Sequence, residues 1–481
     1  MKKIFFTIST LFLISSHGIS QEKPNIILIM ADDLGWGDVG FNGNKQIKTP
    51  CLDSLAKQGM IFDRFYSGCS VSSPTRASVL TGRNPFRTGV FHANIGILRP
   101  EEITLPELLQ QQGYMTGHFG KWHLGTLTHQ EKDANRGRIG NTKEYNIPAE
   151  HGYIESFVTE SKVPTFDPMR QPIDNNKRFW DCLSSEDNGK LYGTYYWNHT
   201  GEKETENMDG DDSRVIMDRI LPFMLRSQEA NRPFFSAIWF HTPHLPCVAG
   251  PEYAKMYSHL PLEEKNYYGC ITAMDEQIGR LVAFLKDNGL YDNTIICFCS
   301  DNGPEVKTPG SASFLRGRKR DLYEGGIRVP AFVVWPSQIQ ANQRTEHIAF
   351  TSDYLPTFVD LLNLSKPLYE LDGESLIPFF NQKAERRKPL VFAVQQQGAV
   401  IEQQYKLVYS KGEFQLFDIQ KDPSEKQDLS SEYPEEFTRL YKILERSLED
   451  YKMSFEGSEY GTTSVNRMKQ KWHDIKSHLK N

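Results

Sequence analysis

Apolar runs recur along the chain, and several close on polar residues of an unusual kind. Asn25-Ile26-Ile27-Leu28-Ile29-Met30 runs into Asp32-Asp33, and Pro233 to Phe240 runs into His241-Thr242-Pro243-His244. Thr294-Ile295-Ile296-Cys297-Phe298-Cys299 runs into Asp301-Asn302-Gly303, while Tyr114 to Phe119, a less apolar run, leads to Lys121-Trp122-His123. Short continuous apolar runs predict strands covered on both faces, the pattern of a parallel sheet with helices on each side. Helical spacing over Thr49 to Gly59 and Asp275 to Asn288 supplies the α half of an α/β alternation. Ligands of open α/β sheets collect beyond the carboxyl ends of the strands, so four polar clusters at four strand ends predict one site.

Two other stretches read differently. Thr126 to Asp212 is polar and without clear periodicity, which predicts loops laid over the sheet edge; it carries Trp180, Tyr192, Tyr195, Tyr196 and Trp197. Beyond Ala384, the segments Leu390 to Val394, Tyr405 to Tyr409 and Phe414 to Phe417 predict strands of a small sheet. Glu435 to Tyr451 has the spacing of a helix packed on it. At 481 residues the chain is too long for one minimal core. The expected organisation is a large domain over 21–383 and a C-terminal subdomain over 384–481, with no internal repeats.

The first twenty residues stand apart. Lys2 and Lys3 precede the apolar run Ile4 to Ile14, and a small-residue segment ends at Gly18-Ile19-Ser20. This is a signal-peptide pattern, too short for a membrane span, and it predicts a mature chain starting near Gln21 in the periplasm or outside the cell. Net charge is −6 with basic residues dispersed, so no nucleic-acid footprint is expected. The seven cysteines have neither zinc spacing nor a dense disulfide framework, and read as buried free thiols with one disulfide possible. Cys297 and Cys299 should face the same side of a strand.

Asp32-Asp33 and Asp301-Asn302 offer three carboxylates and one amide oxygen, a donor set for a hard cation such as calcium or magnesium. Either pair alone reads slightly better as a helix cap or a solvated turn; both pairs, each after a buried strand, favour a metal. Ser72-Ser73-Pro74-Thr75-Arg76-Ala77-Ser78-Val79-Leu80-Thr81-Gly82 predicts a helix, with Ser72 as cap, proline in the first turn and glycine at the end. A helix amino terminus also receives anions, and Arg76 one turn along projects toward the same end.

Ser72 to Gly82 matches every defining position of a signature: cysteine or serine, any residue, proline, any residue, arginine, four residues, threonine, glycine. By it the chain resembles the formylglycine-dependent sulfatases, as a serine-type member. Asp32-Asp33-Leu34-Gly35 and Asp301-Asn302-Gly303 resemble that family's metal motifs, and Gly120-Lys121-Trp122-His123-Leu124-Gly125 its lysine–histidine motif. Thr242-Pro243-His244-Leu245-Pro246 resembles its second histidine motif, and Gly317-Arg318-Lys319 with Glu324 to Pro330 its last lysine motif.

The resemblance implies an alkaline-phosphatase-like α/β sandwich: a large, mostly parallel sheet flanked by helices, plus a smaller C-terminal antiparallel sheet with a helix. It implies that Ser72 is oxidised to formylglycine by a cytoplasmic maturase before export. One calcium would be held by Asp32, Asp33, Asp301, Asn302 and residue 72. The hydrated aldehyde would attack sulfur, with Arg76, Lys121 and Lys319 stabilising the sulfuryl group. His123 would handle the diol proton, and His244 would contact sulfate and protonate the leaving oxygen. His241 reads as a supporting residue. The substrate is expected to be a sulfated glycan, with galactose or N-acetylgalactosamine sulfate the leading sugars. The aromatics of Trp180 to His199 would either stack on the sugar ring or pack under a long loop, and Arg136 and Arg138 would read neighbouring anions. The rival readings are a phosphatase or phosphonate monoester hydrolase of the same superfamily, and a non-catalytic glycan-binding protein with Ser72 unconverted.

Overall fold

The computed structural model describes residues 23–172, 190–381, 384–461, 471–472 and 474–475. The expected export signal, Trp180 and Cys182 lie outside these residues. Nine strands build the central sheet: β1 (Asn25–Ala31), β2 (Met60–Tyr66), β3 (Met115–Lys121), β4 (Glu155–Thr159), β5 (Trp197–Asn198), β6 (Phe234–Trp239), β7 (Thr294–Ser300), β8 (Ala331–Val334) and β9 (Gln343–Phe350). Their order is β5-β4-β3-β6-β1-β7-β8-β2-β9. The run from β4 to β7 is parallel, and β8 and β5 run against their neighbours.

The strands β1, β6 and β7 are apolar throughout because both faces of the sheet are covered. On one face the helices Ser72–Thr81, Leu105–Gln111 and Tyr354–Leu362 pack on Ile26, Leu28, Met30, Cys297 and Cys299. On the other, the helices Pro50–Ala56, Asp212–Glu229 and Leu262–Asp287 pack on Ile27, Ile29, Ile296 and Phe298. Cys297 and Cys299 thus share a face, as expected, and the six described cysteines are free thiols.

A second, antiparallel sheet follows: β10 (Leu390–Val394), β11 (Gln397–Glu402), β12 (Tyr405–Ser410) and β13 (Glu413–Asp418). Its alternation divides it cleanly between two partners. Leu390, Phe392 and Val394 pack on Tyr66, Val71 and Phe350 of the large body, while Val391, Val400 and Leu407 pack under the helix Pro434–Phe455. Lys406 of β12 reaches back as a buried cation, 2.9 Å from both Glu324 and Glu425.

Three expectations need correcting. The stretch Thr126 to Asp212 is not loop alone, for β4 and β5 within it extend the sheet. The helix expected from Asp275 begins at Leu262; its first half is buried on most sides, which erases the amphipathic period. Ser72 does not cap its helix. Val71 holds the cap position, and the Ser72 side chain is turned elsewhere.

Candidate active site

The carboxyl ends of β1, β3, β6 and β7 converge as the apolar runs predicted, and each delivers polar residues to one buried cluster. Asp32 and Asp33 follow β1. Asp33 is held at φ 67°, a left-handed conformation that costs energy outside glycine and is typical of functional turns. Its backbone N–H donates to Asp301 Oδ1 at 3.0 Å, which ties the β1 and β7 ends together. Gly303 keeps that second turn close to the loop bearing Lys319, since a Cβ there would lie 1.9 Å from Gly325 O.

Ser72 opens its helix inside this cluster. It is 2% exposed, and its Oγ lies 3.1 Å from Asp32 Oδ1 and 3.3 Å from Asn302 Oδ1. Three cations sit on the carboxylates. Lys121 Nζ donates to Asp32 Oδ2 at 2.6 Å, Lys319 Nζ lies 2.7 Å from the Asp33 carboxylate, and Arg76 donates to Asp301 Oδ2 at 2.8 Å. Arg76 also lies over the Trp239 ring. Every residue singled out in the sequence for the metal, the nucleophile and the fixed charge is therefore brought together.

The electrostatics are those of a site short of positive charge. Burial opposes ionisation of Asp32, but Lys121, His244, Arg76 and Lys319 outweigh it and hold its carboxyl well below the usual range. Asp301 goes the other way: burial first, then repulsion from Asp32, pushes it up to about 7. A Ser72 hydroxyl with one proton facing two acceptor oxygens is likewise one cation short. Oxygens from Asp32, Asp33, Asn302 and Ser72 form the hard donor set that calcium or magnesium takes, so these residues fit a divalent cation. Asp32, Asp33 and His244 also present ligand atoms all within 4.8 Å of one another.

The histidines take distinct settings. His244 donates Nδ1–H to Leu245 O at 2.6 Å, and its Nε2 stands 3.6 Å from Asp33 Oδ2. That bond fixes the tautomer and leaves the Nε2 lone pair facing the cluster. Burial lowers the His244 pKa to about 4. His123, at φ 61°, uses Nε2 against Asn94 Oδ1 at 2.9 Å and leaves Nδ1 without a hydrogen-bond partner among the described residues; burial and Lys121 keep the ring neutral. His241 is fully buried between Asp212 Oδ2 at 2.8 Å and Thr159 Oγ1 at 2.7 Å, the supporting position expected of it.

The predicted sugar-reading groups fare worse. Tyr196 and Trp197 are buried, bonded to Asp212 and Asp133. Arg136 is buried on Glu160 at 2.8 Å and Gly96 O at 2.9 Å, so it is not free to read a ligand, and the exposed Arg138 turns to Glu144 at 3.3 Å. Lys162, which no motif marks, stands near the cluster close enough to feel Lys319, Asp33, Asp32 and Glu305.

The family described as Sulfatase matches residues 24–364. The chain belongs to the sulfatase family. The C-terminal region of N-sulphoglucosamine sulphohydrolase matches residues 317–454 of this sulfatase. The sulfatase is 30% identical over 393 residues to N-acetylgalactosamine-6-sulfatase of Canis lupus familiaris, covering 76% of this chain and 69% of that protein. It is 33% identical over 387 residues to arylsulfatase A of Homo sapiens, covering 77% and 70%. It superposes on the crystal structure of Ps i-CgsB in complex with k-i-k-neocarrahexaose with a TM-score of 0.76 at 29% identity, covering 95% of this chain and 96% of that one. The two sheets form the alkaline-phosphatase-like architecture of such enzymes, and the sulfatase is a sulfuric ester hydrolase.

Proposed function

We propose that this sulfatase is an exported enzyme that removes sulfate from sulfated carbohydrates, with formylglycine made from Ser72 as nucleophile and one calcium ion. The observation that carries the reading is the placement of Ser72 Oγ, 3.1 Å from Asp32 Oδ1 and 3.3 Å from Asn302 Oδ1, at a helix amino terminus ringed by Arg76, Lys121 and Lys319. Asp32, Asp33, Asp301, Asn302 and residue 72 would hold the cation. When bound, calcium would act as a Lewis acid and neutralise the crowded carboxylates.

The chain's own groups divide the remaining work. Arg76, Lys121 and Lys319 stabilise the charge that builds on the sulfuryl oxygens in a site closed to water. The His123 Nδ1, without a hydrogen-bond partner among the described residues, accepts and returns the proton of the position-72 hydroxyl. His244, charged once an anionic ester arrives, gives the Nε2 proton to the leaving oxygen as the S–O ester bond breaks. Residues 21–383 would form the catalytic domain and 384–481 a subdomain.

Two similarities support a sugar substrate. One relative is named for N-acetylgalactosamine 6-sulfate, and the Ps i-CgsB structure holds a neocarrahexaose. Galactose and N-acetylgalactosamine sulfates are therefore the first candidates. The pattern of residues 1–20 supports export, preceded by a cytoplasmic serine-type maturase. The test has two arms. Mass spectrometry of the peptide holding Ser72 should show loss of two hydrogens after co-expression with such a maturase. The matured protein should then release sulfate from singly sulfated galactose or N-acetylgalactosamine and leave 4-nitrophenyl phosphate almost untouched. Faster phosphate ester hydrolysis would replace this reading with that of a phosphatase.

A further inference from the structure

Each catalytic cation described above has a carboxylate against it, and at the mouth Arg320 takes both oxygens of Glu305 at 3.0 and 2.8 Å. Lys162 is different. It is half-buried beside the cluster, and among the described residues its Nζ has no hydrogen-bond or ion-pair partner. Burying lysine methylenes while leaving the ammonium unpaired costs free energy unless a ligand supplies the counter-charge.

The backbone that presents Lys162 is fixed from several sides. It follows β4 directly, where Thr159 Oγ1 donates to Ser161 O at 2.7 Å and meets His241 Nε2 at 2.7 Å. Glu160 is clamped by Arg136 at 2.8 Å. Ser161 Oγ accepts from Asn135 Nδ2 at 3.0 Å, and the same amide donates at 3.1 Å to Asn94, the partner of His123. The turn is thus tied through Asn135 and Asn94 to His123, which keeps Lys162 on the same wall of the site. Burial, then Lys319, pulls its pKa below that of a free lysine, while Asp33, Asp32 and Glu305 oppose this.

Resting on the sulfatase reading above, we propose that Lys162 is a specificity-determining residue that binds a second anionic group of the substrate, a further sulfate or a carboxylate on or next to the sugar that carries the scissile sulfate. Asp32, Asp33 and Asp301 are already matched one for one by Lys121, Lys319 and Arg76, so nothing in the cluster cancels the charge of Lys162. A substrate with a second anion does. The inference gives His241 and Asp212 a purpose as well, since through Thr159 they hold the turn in register.

The experiment compares three probes: singly sulfated galactose, the same sugar bearing two sulfates, and the singly sulfated sugar joined to glucuronic acid. Matured wild type should show a KM about tenfold lower for at least one doubly anionic probe than for the singly sulfated sugar, the scale of a charged hydrogen bond. In K162M that ratio should collapse toward one through KM, with kcat largely kept; K162R should retain most of it. Loss with the disulfated probe alone identifies a sulfate, and with the uronate probe alone a carboxylate. Wild type that treats all three alike overturns the proposal, as does K162M slowing all three in equal proportion. Calorimetric binding of the same probes to S72A and to S72A with K162M decides the point without turnover. Selective weakening there, with no hydrolysis by matured wild type, would keep the anion site and remove the hydrolytic reading.

Discussion

Arg76 donates to Asp301 Oδ2 at 2.8 Å with both side chains fully buried. The pair joins the first helical turn after Ser72 to the end of β7. Asp301 is already pushed up to about 7 with Arg76 in place. Removing the guanidinium raises it further and leaves a neutral acid at physiological pH. R76M should therefore lose two things together: the charge that steadies the sulfuryl group, costing about 10²–10³ in kcat/KM, and part of the metal affinity. Rates and calcium-titrated melting curves check it. Unchanged calcium stabilisation would show that Asp301 does not depend on Arg76.

Metal removal should destabilise the protein. Asp32, Asp33 and Asp301 crowd one buried space with cations that are lysine and arginine alone. A ligand bound only by the folded state adds about 2.7 kcal/mol at a hundredfold excess over its Kd. Calcium at millimolar concentration should raise Tm over an EGTA-treated sample, and magnesium less, because an all-protein set of carboxylate and amide oxygens suits calcium, whereas magnesium keeps several of its waters. An equal or larger shift with magnesium would reassign the metal.

S72A tests the nucleophile. Its side chain is buried, and among the described residues its hydroxyl hydrogen-bonds to Asp32 and Asn302 alone. S72A should melt within about 1–2 kcal/mol of wild type, the usual cost of one buried hydroxyl, yet release no sulfate even when co-expressed with the maturase. Retained turnover would remove Ser72 from the chemistry.

The site was more legible in the sequence than the fold around it. Asp32-Asp33 and Asp301-Asn302 follow apolar strands and Ser72 to Gly82 matches the sulfatase signature, so strand-end position and the family resemblance together place them. β2, β8 and β9 carry no such marker. β4, only Glu155–Thr159, was lost in a polar stretch because its flanks are turns. Ser72 passes for a helix cap because serine is a preferred cap and proline follows in the first turn; the pull of Asp32 and Asn302 is visible only in three dimensions. Tyr196, Trp197 and Arg136 looked available to a sugar because residue type does not report burial. Lys162 belongs to no motif, and its meaning comes entirely from the wall it stands on.

H244A should distinguish leaving groups. The bond from Nδ1 to Leu245 O aims Nε2 at the cluster. A sugar alkoxide needs a proton and nitrophenolate hardly does. Loss of a general acid costs about 10²–10⁴ where it acts, so sulfated sugars should slow by far more than 4-nitrophenyl sulfate. Equal losses would mean that His244 binds sulfate without supplying the proton.

The buried cation that joins the two sheets gives a pH prediction. Lys406 lies 2.9 Å from both Glu324 and Glu425. Burial raises Glu425 to about 7, against the pull of Lys406 and with repulsion from Glu324, while Glu324 ends lowered. In the unfolded chain Glu425 ionises near 4.3. Between the two values the folded state holds more protons, so this group's contribution is full below the unfolded pKa and is lost as pH rises to about 7. E425Q removes that slope while Lys406 keeps Glu324. Relative to E425Q, wild type should lose about 1–3 °C of Tm between pH 5 and 8. K406M should cost far more, about 3–5 kcal/mol at pH 8, by leaving Glu425 buried without its cation and Glu324 with only Arg328 at 3.5 Å. If wild type and E425Q keep a constant difference across that range, Glu425 is ionised in the folded protein throughout it and is not raised by its burial.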